Sequence, residues 1–471
     1  QYDLLSVSGS RRFADDIGVT KIMEAEGDDA NSFGQHQITI NLFAQSQRDL
    51  DSHLEKAIKA LNSFGLVAVR ENIFLESCYW SQLPGNFCYI IRKSPIDLAR
   101  FAGFSSLYNH PAGNVRSESW GDAISVFYTA NKTPYFFNFH YGKKGHTMIL
   151  GPRGSGKTVL LNFLIAQSLK HKPNIFYVDF FNSSEVFIEA IGGYYEGFSE
   201  EVEFLQFNPF LLDDNQENRA FLVKFLGYLM IAKQDISEGK YKLQQKKKDI
   251  FEKIIEKIYS LPKQERNIAR VARMLEETPL AALIKPWVGE GDCAGIFDNK
   301  EDEIEKYKNC IAIDFTAISQ RKTILIPLLA YYLHKIETLL DGSPAIIVID
   351  EAWKLLDNMF FAPTIKEFLD SVSEKNAIVI FASESMDDVK NSKITSFITE
   401  EFSTEIYMPY AGLDSDCQKV FNLTDDEFKM LSGIKDGSRN FMLKHNVDSV
   451  LVDLDLTDME HIISMLSSNN Y

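Results

Sequence analysis

Eight residues, Gly151-Pro152-Arg153-Gly154-Ser155-Gly156-Lys157-Thr158, lie between the apolar run HTMIL and the helically spaced stretch KTVLLNFLIAQSL. They match the pattern G-x-x-x-x-G-K-[ST] in the strand, loop and helix setting that makes it specific for a phosphate cradle. The glycines let consecutive backbone N–H groups converge on a β-phosphate, and the N-terminus of the following helix adds positive potential. Lys157 is placed to reach the β- and γ-phosphates and Thr158 to ligate Mg²⁺, while Pro152, Arg153, Gly154 and Ser155 complete the loop. Arg153 is read as projecting to solvent.

The segments around the loop are short and strongly apolar: HTMIL, NIFYVDF (Asn174 to Phe180), CIAIDF (Cys310 to Phe315), AIIVID (Ala345 to Asp350) and AIVIFAS (Ala377 to Ser383). Continuous β-branched runs separated by helical stretches indicate a parallel sheet covered on both faces. Between Glu217 and Pro286 such runs stop and helix-forming segments take over, which predicts an all-helical insertion at about 216–292. The fold class is therefore α/β, a phosphate-loop domain over 141–471 carrying that insertion.

AIIVIDE supplies the second half of a hydrolytic site. An apolar run leads to Asp350, which takes a place in the Mg²⁺ shell, and to Glu351, which can polarise an attacking water. A water-activating Glu directly after the metal Asp favours hydrolysis that drives conformational work over phosphoryl transfer to a small molecule. ATP and Mg²⁺ are the implied cofactors.

Residues 1–140 carry no nucleotide motif. HQITINLFA (His36 to Ala44) alternates like a strand, Arg48 to Gly65 has apolar residues at helical spacing, and VAVRENIFL reads as another strand, so an α+β unit precedes the motor. The spacing of Tyr79, Trp80, Phe87 and Tyr89 reads as core more readily than as a docking surface. The formal net charge of −17 weighs against a surface that tracks a nucleic-acid backbone, which leaves DNA contact open only through a local patch. Five cysteines without a C-x-x-C pair suggest neither a disulfide framework nor a zinc site. No apolar run reaches the roughly 18 to 20 residues that span a bilayer. The chain starts at Gln1, so it is expected to be an internal fragment.

ESCYWSQLPGNFCYIIR (Glu76 to Arg92), WGDAISVFYTANKTPYFFNFHYGKKGHTMILGPRGSGKT (Trp120 to Thr158), FNPFLL, GIFDN (Gly295 to Asn299) and DGSPAIIVIDEAWKLLD (Asp341 to Asp357) together resemble the large traffic ATPases of bacterial type IV secretion systems, the CagE/TrbE/VirB family. The likeness runs in order along almost the whole chain. It implies a RecA-like motor domain, with 1–140 as the C-terminal part of the family's α+β N-terminal domain. It also implies a homo-oligomer, often a hexamer, peripheral on the cytoplasmic face of the inner membrane. There it would contact inner-membrane components of the secretion channel and a coupling ATPase, and energise assembly and substrate transfer. A DNA translocase or conjugative coupling ATPase is the alternative, and an ATP-binding assembly platform with weak hydrolysis a second one.

Two positions depart from the family pattern. Where it usually has Ala-Thr-Gln-Ser, with the glutamine placed to sense the γ-phosphate, this chain has Ala382, Ser383, Glu384 and Ser385. Where it commonly has Asp-Lys-Asp, this chain has Asp179, Phe180 and Phe181. A ring motor also needs an arginine supplied across a subunit boundary, for which Arg321 and Arg439 are the candidates.

Overall fold

The computed structural model describes residues 33–63, 68–97, 101, 111–198, 205–231, 244–351, 362–391, 401–410, 412–435, 437–446, 448–457 and 459–467. The chain forms two units, Gln1–Asn109 and His110–Tyr471. The expected domain boundary at residue 140 thus lies inside the second unit.

In the first unit, strand β1 (Phe33–His36) pairs antiparallel with β2 (Ser94–Asp97). The predicted helix is present as Gln47–Ser63. The two predicted strands differ. The alternating run stops being a strand at His36, and Ile38 and Ile40 beyond it are exposed. Alternation makes a strand only where a neighbouring strand covers one face. In the second run Glu71 intervenes: its Oε1 accepts the backbone N–H groups of Ile73 and Phe74 at 3.1 Å each, and the chain enters a helix, Leu75–Trp80. Local side-chain bonds of this kind compete with strand ladders. Tyr79, Trp80, Phe87 and Tyr89 sit on that short helix and the turn after it and are exposed, so the core reading of these aromatics fails.

The second unit opens with a small hairpin, β3 (Arg116–Ser117) and β4 (Gly121–Asp122). Among the described residues its main sheet has eleven strands. In chain order they are β5 (Ser125–Thr129), β6 (Pro134–Phe137), β7 (Thr147–Leu150), β8 (Asn174–Asp179), β9 (Tyr194–Gly197) and β10 (Cys310–Asp314). They continue with β11 (Ala345–Ile349), β12 (Ala377–Ser383), β13 (Thr404–Tyr407), β14 (Asn440–His445) and β15 (Asp448–Asp453). The spatial order is β6-β5-β15-β14-β13-β7-β12-β11-β8-β10-β9.

From β13 to β9 all neighbours are parallel. The predicted parallel sheet is this part. Its central strands are largely apolar because alternate residues serve different cores. Met148 and Leu150 of β7 join the core under the helical insertion, whereas Ile149 joins the one under helix Lys157–Ser168. The other four strands, β14, β15, β5 and β6, are antiparallel. Segment 125–137, expected in the N-terminal unit, is the far edge of this sheet: Val452 of β15 pairs with Thr129 of β5.

Between β9 and β10 the described residues contain helices and no strand, as the sequence predicts. Asn215 and Asn267 cap helices Gln216–Leu229 and Ile268–Leu275 by accepting backbone N–H groups. Trp287 donates from Nε1 to the Leu229 carbonyl at 3.1 Å and ties the end of the insertion back to its first helix. Among the described residues no helix is long and apolar enough to cross a membrane.

Candidate active site

The C-terminal ends of β7, β12, β11 and β8 converge on one edge, the place where open α/β sheets bind ligands. Gly154 and Gly156 adopt φ of 81° and 88°, left-handed values that let the loop between β7 and its helix turn its N–H groups inward. Gly151 is required for a different reason. A Cβ there would lie 2.4 Å from Met408 Cβ and 2.7 Å from Ser155 Oγ. Ser155 Oγ is buried and finds no hydrogen-bond partner among the described residues. A polar atom left this way inside a glycine cradle fits a loop shaped for an oxyanion.

Lys157 heads the helix and is buried. Its Nζ lies 3.0 Å from Glu351 Oε1 and 3.7 Å from Asp350 Oδ1, two carboxylates that are themselves buried. Burial lowers the lysine's pKa, but Asp350 and Glu351 outweigh it and the net shift is upward, so the amine stays charged. Burial raises the pKa of Glu351 above the usual carboxylate value; Lys157 opposes that rise and Asp350 adds to it. Glu351 also has φ of 49°, a left-handed conformation that costs a residue with a Cβ roughly 1–3 kcal/mol. Strain of that size at a strand end places the carboxylate beside the loop.

The sequence reading missed a supporting layer. Asp179, at the end of β8, accepts backbone N–H groups from Phe181 at 3.0 Å and from Ser183 and Ser184 at 2.8 Å. Ser183 Oγ lies 3.2 Å from Asp179 Oδ1 and 3.1 Å from Asp350 Oδ2, so it bridges the two strand ends. Burial, followed by the neighbouring charge of Asp350, raises the pKa of Asp179. The available signal was the pair Ser183-Ser184 directly before helix Glu185–Ala190. The departure at Phe180 and Phe181 is also resolved. Phe180 turns into the core against Phe315, while Phe181 lines the phosphate-side cavity.

That cavity, about 360 Å³, is lined by Lys157, Thr158, Ser183, Asp350 and Glu384 among others. The backbone N–H of Glu384 donates to Glu351 Oε1 at 2.8 Å, so one oxygen of Glu351 serves both Lys157 and the β12 loop. A second cavity of about 870 Å³ opens on the opposite side of the loop and shares Pro152, Arg153, Gly154 and Gly156 with the first. Arg153 is exposed at the mouth of both.

Of the two arginine candidates, Arg439 lines the second cavity, held by Asp455 at 2.7 Å and by the Thr457 hydroxyl. Arg321 is exposed at the start of helix Lys322–Leu339 and lines neither cavity. The stretch after Glu351, AWKLLD, lies outside the described residues.

A phosphate loop facing paired acids across a parallel sheet defines a P-loop nucleotide-binding protein of RecA-like ATPase architecture. Residues 139–270 match the TraG P-loop domain, and residues 16–92 match the CagE, TrbE, VirB family, component of type IV transporter system. The chain is 33% identical to the type IV secretion system protein virB4 of Bartonella quintana over 92% of its own length and 55% of that protein's. To the protein virB4 of Agrobacterium fabrum it is 29% identical over 98% and 60%, and to PtlC of Bordetella pertussis 25% over 93% and 56%. The solved structure of VirB4 from Thermoanaerobacter pseudethanolicus shares the fold, with a TM-score of 0.55 at 14% identity, covering 72% of this chain and 97% of that one. Over residues 16–92 the chain thus matches the CagE/TrbE/VirB family, and along most of its length it is similar to VirB4 proteins of type IV secretion systems. It spans little more than half the length of the relatives it matches.

Proposed function

We propose that the chain is the ATP-hydrolysing part of a motor that energises assembly of, and transfer through, a type IV secretion system. The observation that carries this is the buried constellation of Lys157, Asp350 and Glu351 opening onto the glycine cradle. Gly151 to Thr158 hold the phosphates, and Asp350 with Thr158 would hold Mg²⁺. The metal, when bound with the nucleotide, offsets the phosphate charge.

Lys157 has two anionic destinations, Glu351 and a phosphate. When a γ-phosphate competes for the ammonium, Glu351 is released to accept a proton from water. Glu384 stands where a phosphate sensor belongs, and its backbone bond to Glu351 couples that loop to the base. Arg321, exposed and away from both cavities of its own chain, fits the role of a finger offered to a neighbour. Likeness to this family supports a ring of copies, often six, on the cytoplasmic face of the inner membrane and joined to channel components.

ATP turnover and nucleotide binding of the purified chain test the motor reading. Lys157→Ala is expected to lose both. Glu351→Gln should keep binding and lose turnover by about 10²-fold or more, the usual contribution of a general base. Wild-type turnover no greater than that of either variant sinks the motor and leaves a nucleotide-binding platform.

A further inference from the structure

The phosphate loop separates two cavities of opposite character. The smaller is edged by Lys157, Asp350 and Glu384, charges suited to the γ-phosphate and its metal. The larger has walls of Tyr410, Phe441, Leu454, Leu456 and Ile463, contributed by the loop after β13, by β14, by the segment after β15 and by helix Glu460–Leu466. Its volume, about 870 Å³, lies within the roughly 300–1,000 Å³ usual for small-ligand sites, which are mostly apolar with a few placed polar groups. A nucleotide held by the loop with its γ-phosphate toward Glu351 must direct its other end away from that acid. The larger cavity is on that side.

We propose that this cavity receives the nucleobase and ribose, and that Arg439 clamps them on its own chain instead of serving a neighbouring one. The proposal rests on the nucleotide reading above and deepens it. Two bonds already hold Arg439 in place for that role. Its Nη1 donates to Asp455 Oδ1 at 2.7 Å and to Thr457 Oγ1, while the side chain stays 58% exposed at the rim. Thr457 N–H donates to the same Asp455 oxygen at 3.0 Å, which anchors the carboxylate in turn. The planar guanidinium keeps its remaining donors for a ribose or base acceptor, or its face for a purine ring. The far wall is also fixed. Asn162 of the phosphate-loop helix donates to the Leu466 carbonyl at 2.9 Å, and buried Leu466 packs into the core beneath that helix. Helix Glu460–Leu466, which carries Ile463, therefore stays registered with the loop.

Two probes that share the phosphates but not the base separate this proposal from the reading beneath it. ADP and inorganic tripolyphosphate, each with Mg²⁺, are titrated by calorimetry into the wild type, Arg439→Ala and Ile463→Trp, with thermal melts to compare folding. Ile463→Trp, which fills the cavity, should weaken ADP by on the order of tenfold. Arg439→Ala, a change at an exposed side chain, should weaken ADP severalfold. Both should leave tripolyphosphate unchanged.

ADP affinity intact in both variants, or a loss shared equally by ADP and tripolyphosphate, overturns the assignment. Turnover lost in Arg439→Ala with ADP affinity intact also overturns it, because that is the behaviour of a finger acting across a subunit boundary. A wild type that binds neither probe removes the nucleotide reading itself, and this assignment with it.

Discussion

On one side of the phosphate loop, strands β12, β11, β8, β10 and β9 run parallel with β7 and, as far as the half-buried edge strand β9, are almost wholly buried; on the other, only β13 does so before the sheet turns antiparallel through β14, β15, β5 and β6. The parallel side ends in carboxylates: Asp350, Glu351 and Asp179. The antiparallel side ends in apolar residues and Arg439, and it encloses the larger cavity. Chemistry needs charges fixed in a buried frame, which strands covered on both faces provide. A wall for a base needs only shape and apolar surface, which an antiparallel edge with one covered face can give.

The loop touches both halves through Gly151, so adding one methyl there is the sharpest way to break the arrangement. In Gly151→Ala the new Cβ meets Met408 of the antiparallel side and Ser155 of the cradle at distances no real contact tolerates. Overpacking of this kind costs about 1–3 kcal/mol or more, and relief requires the loop itself to move. The expected result is a lower melting temperature together with loss of nucleotide binding. A variant that melts lower and still binds ADP as the wild type does would show that the two halves are not coupled through this residue.

The side of β13 also carries a pH response of its own. Glu405 of β13 is buried against Tyr407, whose hydroxyl donates to it, and burial pushes its pKa up to about 7. A carboxyl whose folded pKa exceeds its unfolded value contributes stability that is fully present below about 4.5 and is lost as pH rises through about 7. Glu405 therefore takes stability away between about pH 4.5 and 7, whereas buried His140, His146 and His334, whose pKa values burial lowers to about 4, add stability as pH rises over part of that range. Glu405→Gln keeps an acceptor for Tyr407 and removes its share of the titration, so its melting temperature should gain on that of the wild type as pH rises across that window. Equal slopes for the two proteins would assign the pH response to other groups.

β7, β8, β10, β11 and β12 were legible because each carries an apolar run bounded by turn or helix signals; β9, a Tyr-Tyr-Glu-Gly stretch, and β13, which carries Thr404 and Glu405, do not and were not read as strands. Lys157, Asp350 and Glu351 could be paired from sequence, since a phosphate loop needs an acid at a second strand end. Ser183 and Asp179 were not found: their role lies in which strand ends are neighbours, and β8 lies beside β11 only in the folded sheet. β5 and β6 were placed in the wrong unit because an edge pair with one exposed face reads the same in any domain; Val126 and Tyr128 of β5 point to solvent. The pairing of β5 with β15 joins residues more than three hundred positions apart, and no local pattern records it.

A smaller effect is expected at Glu384, on the parallel side. Its side chain borders the phosphate cavity as a carboxylate where the family pattern places an amide donor. Glu384→Gln should tighten ATP binding by roughly three- to tenfold, the value of about one hydrogen bond. The backbone bond to Glu351 does not depend on the side chain and should persist. Unchanged affinity and turnover would mean that the position does not sense the phosphate.

The antiparallel side offers a comparison of its own, at the helix Asp425–Ser432 beside β14 and β15. Thr424 and Glu427 form a capping box there, with Thr424 Oγ1 accepting from Glu427 N at 3.2 Å and Glu427 Oε2 accepting from Thr424 N at 2.7 Å. Removing the hydroxyl in Thr424→Ala costs about 1 kcal/mol, a shift of about 2 °C or less in a domain of this size, with ADP affinity unchanged. Glu427 does more than cap. It is buried, it accepts from Ser449 of β15, and it faces the Lys444 ammonium of β14 at 3.4 Å. Glu427→Ala also takes its carboxylate away from the part-buried Lys444, which keeps the Asn422 carbonyl, so it should cost about 1 kcal/mol more than loss of the cap. The melting temperatures of the two variants therefore weigh a helix cap against a strand-to-helix clamp. If they fall together, Glu427 is only a cap, and the antiparallel half is held by its apolar faces alone.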